Sequence, residues 1–187
     1  MRISGGVARG VLLQVPKGDG VRPTTDALRQ AVFSSLASRI AGVRFADLFA
    51  GSGAYGLESL SRGALAGVFV ENDARVVTCL RQNIATVCKS IRRHERGLEV
   101  LTIDALTWTP VPGEEPDLVF IDPPYEMIEK VAPKLFHRLT AALASRPDPV
   151  IVFETPGDLT LGPVGWKCVK RLGKGSRQPT ACFFQRD

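Results

Sequence analysis

Metal-binding cysteine pairs are missing from this chain: its four cysteines, at 79, 88, 168 and 182, form no C-x-x-C spacing, and only His94 and His137 could add nitrogen ligands. No metal site is expected. No apolar run approaches the roughly 20 residues that a membrane span needs, and the amino terminus lacks the basic start, apolar core and small-residue cleavage site of an export signal. The expectation is a cytoplasmic protein with reduced thiols and no membrane partner. Internal repeats and low-complexity tracts are also lacking, which excludes a solenoid. Acidic residues are in short supply, 19 against 24 basic ones, so the formal charge is +5. A polyanionic partner is consistent with that excess.

What is present is enough for one full core: 187 residues, 44% of them hydrophobic, predict a single domain spanning 1–187, expected as a monomer. The charge is unevenly placed. Gly165 to Asp187 hold six basic residues (Lys167, Lys170, Arg171, Lys174, Arg177, Arg186) and one acidic one, which equals the whole excess. Lys89, Arg92, Arg93 and Arg96 form a second cluster. Either cluster alone could equally be a solvated face.

Residues 2 to 15 read as two short strands around glycines, a hairpin placed ahead of the main domain within an extension covering 1–25. A polar stretch, Pro16 to Thr25, leads to a helix in which Leu28, Val32, Leu36 and Ile40 recur every four residues, with Thr24 or Thr25 as N-cap. Strands and helices then alternate: Val43 to Phe49, a helix from Ala54, Gly67 to Glu71, a helix from Asp73 to about Cys88, Leu98 to Asp104, Leu118 to Asp122, a helix from Met127 to Ala144, and Val150 to Glu154. This pattern predicts an α/β fold with a mostly parallel sheet and helices on both faces. Trp166 to Leu172 and Ala181 to Gln185, with no helix between them, predict an antiparallel pair at the sheet edge.

Ligands of an open α/β sheet gather outside the carboxyl ends of its strands. The acidic residues fall there: Asp47 late in the first strand, Glu71 closing the second, Asp104 the third and Asp122 the fourth. Gly51 and Gly53 make the turn beyond Asp47 and let the backbone pass close to a ligand, while Gly56 permits close helix packing. Glu71 can accept two ribose hydroxyls. Gly51-Ser-Gly53-Ala-Tyr-Gly56 is also formally G-x-G-x-x-G, which admits a nicotinamide-binding oxidoreductase. The chain has no room for a substantial substrate domain, however, and a one-nucleoside cofactor such as S-adenosylmethionine suits it better. The adenine amine of that cofactor would find an acceptor in Asp104, whose alternative role is to cap a turn.

Asp122-Pro-Pro-Tyr125 follows the apolar, β-branched run Asp117-Leu-Val-Phe-Ile121. It sets an acceptor carboxylate at a strand's end, then two prolines without backbone donors, then an aromatic ring. Asp122 and the carbonyl of Pro123 can each accept one N–H of an exocyclic amine, and Tyr125 can stack on the base. A rigid turn would use the same residues, but its place beyond the glycine turn, Glu71 and Asp104 points to a nucleobase amino-methyltransferase. Guanine N2 and adenine N6 suit this corner equally.

At this point the chain resembles the class I methyltransferases, and more closely the RsmD family of bacterial small-subunit ribosomal RNA guanine-N2 methyltransferases. The resemblance rests on Arg2-Ile3, Gly6 and Arg9-Gly10, on Arg22-Pro-Thr24 with Asp26 and Phe33, on Asp47 to Gly53 with Gly56-Leu-Glu58 and Ser61-Arg-Gly-Ala64, and on Asp122 to Tyr125. It implies a Rossmann-like fold, methylation of 16S ribosomal RNA or the assembling small subunit, and S-adenosylmethionine as cofactor. It further implies that Asp47, Gly51, Gly53, Glu71 and Asp104 hold the cofactor and that Asp122, Pro123 and Tyr125 hold the base. RNA would meet Arg9, Arg22 and Thr24, with Lys174 and Arg177 adding basic contacts from the tail. Val7 and Ala8 stand where the family usually has a basic and an aromatic residue. An adenine-N6 enzyme, or a non-catalytic RNA-binding assembly factor of the same fold, are the competing expectations.

Overall fold

The computed structural model describes residues 1–15, 25–173, 175–176 and 178–187. Arg22, Thr24, Lys174 and Arg177 therefore lie outside the described residues. Among those described, seven strands form one sheet in the order β3-β2-β1-β4-β5-β7-β6. They are β1 (Arg44–Leu48), β2 (Ala66–Val70), β3 (Leu98–Leu101), β4 (Leu118–Ile121), β5 (Val150–Pro156), β6 (Trp166–Leu172) and β7 (Pro179–Arg186). β3, β2, β1, β4 and β5 run parallel. β7 is antiparallel to both β5 and β6.

Among the described residues four α-helices accompany the sheet: α1 (Asp26–Ser35), α2 (Ala54–Ser61), α3 (Ala74–Ser90) and α4 (Ile128–Ala142). Thr25 caps α1, its hydroxyl accepting from the Leu28 amide at 3.2 Å. Asp73 caps α3 in the same way through Arg75. α1 stops at Ser35, and a short 3-10 turn, Ala37–Arg39, carries the chain on to buried Ile40. The four-residue apolar stripe thus spans two elements. No described helix is long and apolar enough to cross a membrane.

Alternation along the strands divides the core into two layers. Phe45, Phe69, Leu118, Phe120, Val150 and Val152 pack with α1, α2 and α3. Ala46, Leu48, Val119, Ile121, Ile151 and Phe153 pack with α4. The period of two that makes a strand thereby fixes which face each carboxyl-end residue meets.

Two sequence expectations change. The amino-terminal hairpin closes through an isolated bridge, Arg2 with Leu12, rather than two full strands. Ile3 donates to the Val11 carbonyl at 2.9 Å, Gly10 to that of Ile3 at 2.9 Å and Leu13 to that of Met1 at 3.0 Å, and the turn between, closed by Arg9 to Gly6 and Val11 to Ala8 bonds, is also tied to α2. The Val7 amide donates to the Ser61 carbonyl, the Ala8 amide to the Ser61 hydroxyl, and Ser4 to the Glu58 carboxylate. β3 ends at Leu101, three residues short of Asp104, because it is the sheet's edge and its pairing with β2 stops at Val70.

Candidate active site at the carboxyl edge of the sheet

The strand order reverses between β1 and β4, and such a switch point opens a crevice at the carboxyl edge. The glycine turn follows β1 and the Asp122 corner follows β4, so both predicted motifs border that crevice. Phe49, just past β1, has φ +60, a conformation rare for a bulky side chain. Gly51 and Gly53 follow at φ +53 and +79. A Cβ on Gly53 would lie 2.4 Å from Leu80 Cδ1, so that residue both takes the left-handed turn and admits α3.

Glu71 fixes the turn from across β2. Its Oε2 accepts from Gly51 N and its Oε1 from Asp73 N, each at 3.0 Å, and it is only partly buried. Each carboxylate oxygen carries two lone pairs, so these bonds leave acceptor capacity for a diol. Asp47 is placed differently from the expected contact residue. It is 2% exposed, behind the turn, and its Oδ2 accepts from Gly56 N at 2.9 Å. Burial, opposed by that Gly56 bond and helped by the charge of Glu71, pushes its carboxyl up to about 8. Asp47 shapes the site from beneath. Asp104 is exposed in a turn beyond β3, with Oδ1 accepting from Leu106 N at 2.9 Å.

Asp122 is half-buried, and its amide reaches the Leu48 carbonyl at 3.4 Å, prolonging the β4–β1 ladder by one residue. Pro123 is buried, and Tyr125 opens a 3-10 turn, Tyr125–Met127, with its ring partly packed on the α4-side core. Arg9 sits exposed on the hairpin, away from ion-pair partners among the described residues. Val7 beside it is 78% exposed while Ala8 is 1% exposed, a small residue pressed against Ser61.

A residue that the motifs did not flag completes the edge. Glu154, near the end of β5, is 3% exposed and accepts a 3.0 Å hydrogen bond from the Tyr55 hydroxyl. Tyr55, on α2, stacks on Phe120 with ring centroids 5.0 Å apart. Its hydroxyl is held well above its ordinary pKa by burial first, then by the charges of Glu154 and Asp122, against a smaller opposing effect of Arg29. The available signal was an apolar run ending in a carboxylate, Val150 to Glu154, matching the run that ends at Asp122. A cleft of about 700 Å³ lies elsewhere, between α4 and residues 159–164, and none of the predicted site residues lines it.

A family model described as conserved hypothetical protein 95 matches residues 1–183. A Haemophilus influenzae protein named ribosomal RNA small subunit methyltransferase D is 33% identical over 179 residues, 94% of this chain and 89% of that one. The chain belongs to the ribosomal RNA small subunit methyltransferase D family. The Escherichia coli member of that family is 40% identical over 125 residues, 67% of this chain and 60% of its own length. The match thus spans less than two thirds of the Escherichia coli relative. Among solved structures, an Escherichia coli protein, yhhF, described as a candidate methyltransferase, superposes with a TM-score of 0.80 at 31% identity, covering 100% of this chain and 98% of the other. A hypothetical protein of Thermus thermophilus gives 0.76 at 33% identity, covering 98% of each. In this family member the glycine turn, Glu71 and the Asp122 corner follow the carboxyl ends of the neighbouring strands β1, β2 and β4.

Proposed function

We propose that this chain is an S-adenosylmethionine-dependent methyltransferase acting on the exocyclic N2 amine of a guanine in 16S ribosomal RNA, in the cytoplasm. The observation that carries this reading is the Asp122-Pro-Pro-Tyr125 corner standing beside the glycine turn across the β1–β4 switch point. Gly51 and Gly53 would admit the cofactor's amino-acid end, and the carboxylate of Glu71 would accept its ribose hydroxyls. The bound cofactor supplies an electrophilic methyl on a sulfonium leaving group, and Asp104 would accept from its adenine amine. Asp122 and the Pro123 carbonyl would each accept one N–H of the target amine. The guanine amine is a poor nucleophile because its lone pair is delocalised into the ring. Two acceptors favour the pyramidal nitrogen of the transition state over the planar ground state, which is differential binding. Tyr125 would stack on the base once it is displayed outside a helix, worth roughly 1–3 kcal/mol in sites of this kind.

Mass spectrometry of nucleosides from 16S RNA tests this reading. RNA from a deletion strain should lack one N2-methylguanosine, restored by the wild-type gene and not by Asp122→Ala. Loss of an N6-methyladenosine instead would assign the corner to adenine. An unchanged nucleoside profile would leave the chain a non-catalytic RNA-binding factor.

A further inference from the structure

The two carboxylates at the neighbouring ends of β4 and β5 form a pair. Ile121 is in register with Phe153, so Asp122 and Glu154 are the next facing residues on strands about 4.8 Å apart. Phe120 and Val152 pack on the α1–α3 side while Ile121 and Phe153 pack on the other, so alternation turns Asp122 and Glu154 to the same face. Tyr55 spans them there. Its ring lies on Phe120, two residues before Asp122, and its hydroxyl holds Glu154 Oε2.

A buried carboxylate is an expensive thing to keep, and this one sits near the end of β5, on the face that the α1–α3 layer covers with apolar side chains at Val150 and Val152. We propose that Glu154 is a specificity-determining residue of the base site, setting guanine apart from adenine. The inference rests on the methyltransferase reading above. When Asp122 and the Pro123 carbonyl hold the amine, N1 is a ring atom beside it in both bases, with N3 of guanine or C5 of adenine on the amine's other side. In guanine N1 carries a hydrogen, and in adenine it carries a lone pair. An acceptor oxygen of Glu154 alongside Asp122 attracts the first and repels the second, and burial strengthens both effects because water does not screen them. Tyr55 keeps Glu154 in place by donating to it. A polar site that reads a substrate N–H can discriminate far more strongly than a shape-only pocket.

The test uses full-length protein with 16S RNA, or small subunits, bearing guanine or adenine at the methylated position. Initial rates of N2-methylguanosine and N6-methyladenosine formation are read by mass spectrometry for wild type, Glu154→Gln and Tyr55→Phe. A glutamine amide can present either an acceptor or a donor to N1. Glu154→Gln should therefore gain adenine product and lower the guanine-to-adenine rate ratio at least about tenfold, on the scale of a polar discrimination removed. Tyr55→Phe keeps Glu154 and the ring stack but loosens the carboxyl group, so the ratio should fall by less. If both variants lose activity on the two bases in proportion, Glu154 is a structural partner of Tyr55 and the inference is overturned. If Glu154→Gln does not fold, the ratio in Tyr55→Phe decides alone, an unchanged ratio overturning the proposal. A wild type that modifies neither base removes the activity itself, and a wild type that modifies adenine as fast as guanine removes the specificity.

Discussion

Asp47 lies buried behind the glycine turn, bonded to the Gly56 amide, and its proton is tied to folding. Its pKa of about 8 lies above the ordinary 3.8, so between these limits the folded chain holds a proton that the unfolded chain has released. That contribution to stability is fully present below about pH 4 and is lost as pH rises to about 8, at a slope of up to about 1.4 kcal/mol per pH unit. Asp47→Asn keeps an oxygen for the Gly56 amide and cannot ionise. Thermal melts from pH 5 to 8.5 should show a flatter profile for the variant, and parallel profiles would reject the buried-proton reading. Asp122 and Glu71 should separate cleanly by kinetics and titration. Asp122→Ala is expected to abolish methyl transfer with cofactor affinity nearly unchanged, whereas a large rise in the dissociation constant would move Asp122 to the cofactor side. Glu71→Ala is expected to weaken cofactor binding by on the order of 1.5–3 kcal/mol per lost charged hydrogen bond. It also releases the Gly51 and Asp73 amides, so the glycine turn loosens with it.

At the level of elements, α2 is the piece to which everything near the site is fastened. Its first turn continues the glycine turn, Tyr55 reaches β5, and its far end receives the hairpin. Glu58, fully buried, accepts from Ser4, Arg29 and Arg62, while the fully buried Arg29 also reaches Asp26 and the Arg2 carbonyl. Removing one member of such a cluster strands the other's charge. Glu58→Ala should therefore cost about 3–5 kcal/mol in chemical denaturation, while a loss under about 1 kcal/mol would mean that water replaces the carboxylate. These side-chain clamps explain what the sequence left illegible. β1, β2, β4 and the β6–β7 pair were readable from apolar runs and turn residues, because their pairing follows from local pattern. The hairpin was misread as two strands because Gly5 and Gly6 look like hairpin glycines. Gly6 instead takes φ +76 beneath α2, where a Cβ would meet the Ser61 carbonyl oxygen at 2.0 Å. Glu154 escaped for the same reason, since its importance comes from β4 and α2, far away along the chain, and not from its sequence neighbours.

Across the whole molecule, the basic residues do not surround the proposed site evenly. α3 runs from the carboxyl end of β2 back to the amino end of β3, so Lys89, Arg92 and Arg96 lie on the edge opposite the Asp122 corner. Arg93 in the same cluster is tied to the Ala64 and Leu65 carbonyls and serves the fold. Arg171 and Arg186 are likewise committed, to the Gly157 and Leu159 carbonyls and to the Thr140 carbonyl. Lys170 donates to the Ser35 hydroxyl, so the carboxyl-terminal excess of charge is partly structural, and the residues proposed to meet phosphates are Arg9, the Arg22 to Thr24 segment, Lys167, and the stretch carrying Lys174 and Arg177. If these grip RNA, log affinity should fall linearly with log salt through release of counterions, and cofactor affinity should fall much less. Replacing Lys174 and Arg177 together by Ala should weaken RNA binding across sequences and reduce the salt slope by about one for each phosphate no longer neutralised. Tyr125→Ala should lower turnover with little change in slope, because stacking is not a charge interaction. The measurement is RNA affinity at several salt concentrations for wild type and the three variants, the third being Arg9→Ala. A double variant that keeps the wild-type slope would make that stretch a solvated face, and a reduced slope for Arg9→Ala in that case would place the phosphate contacts on the hairpin.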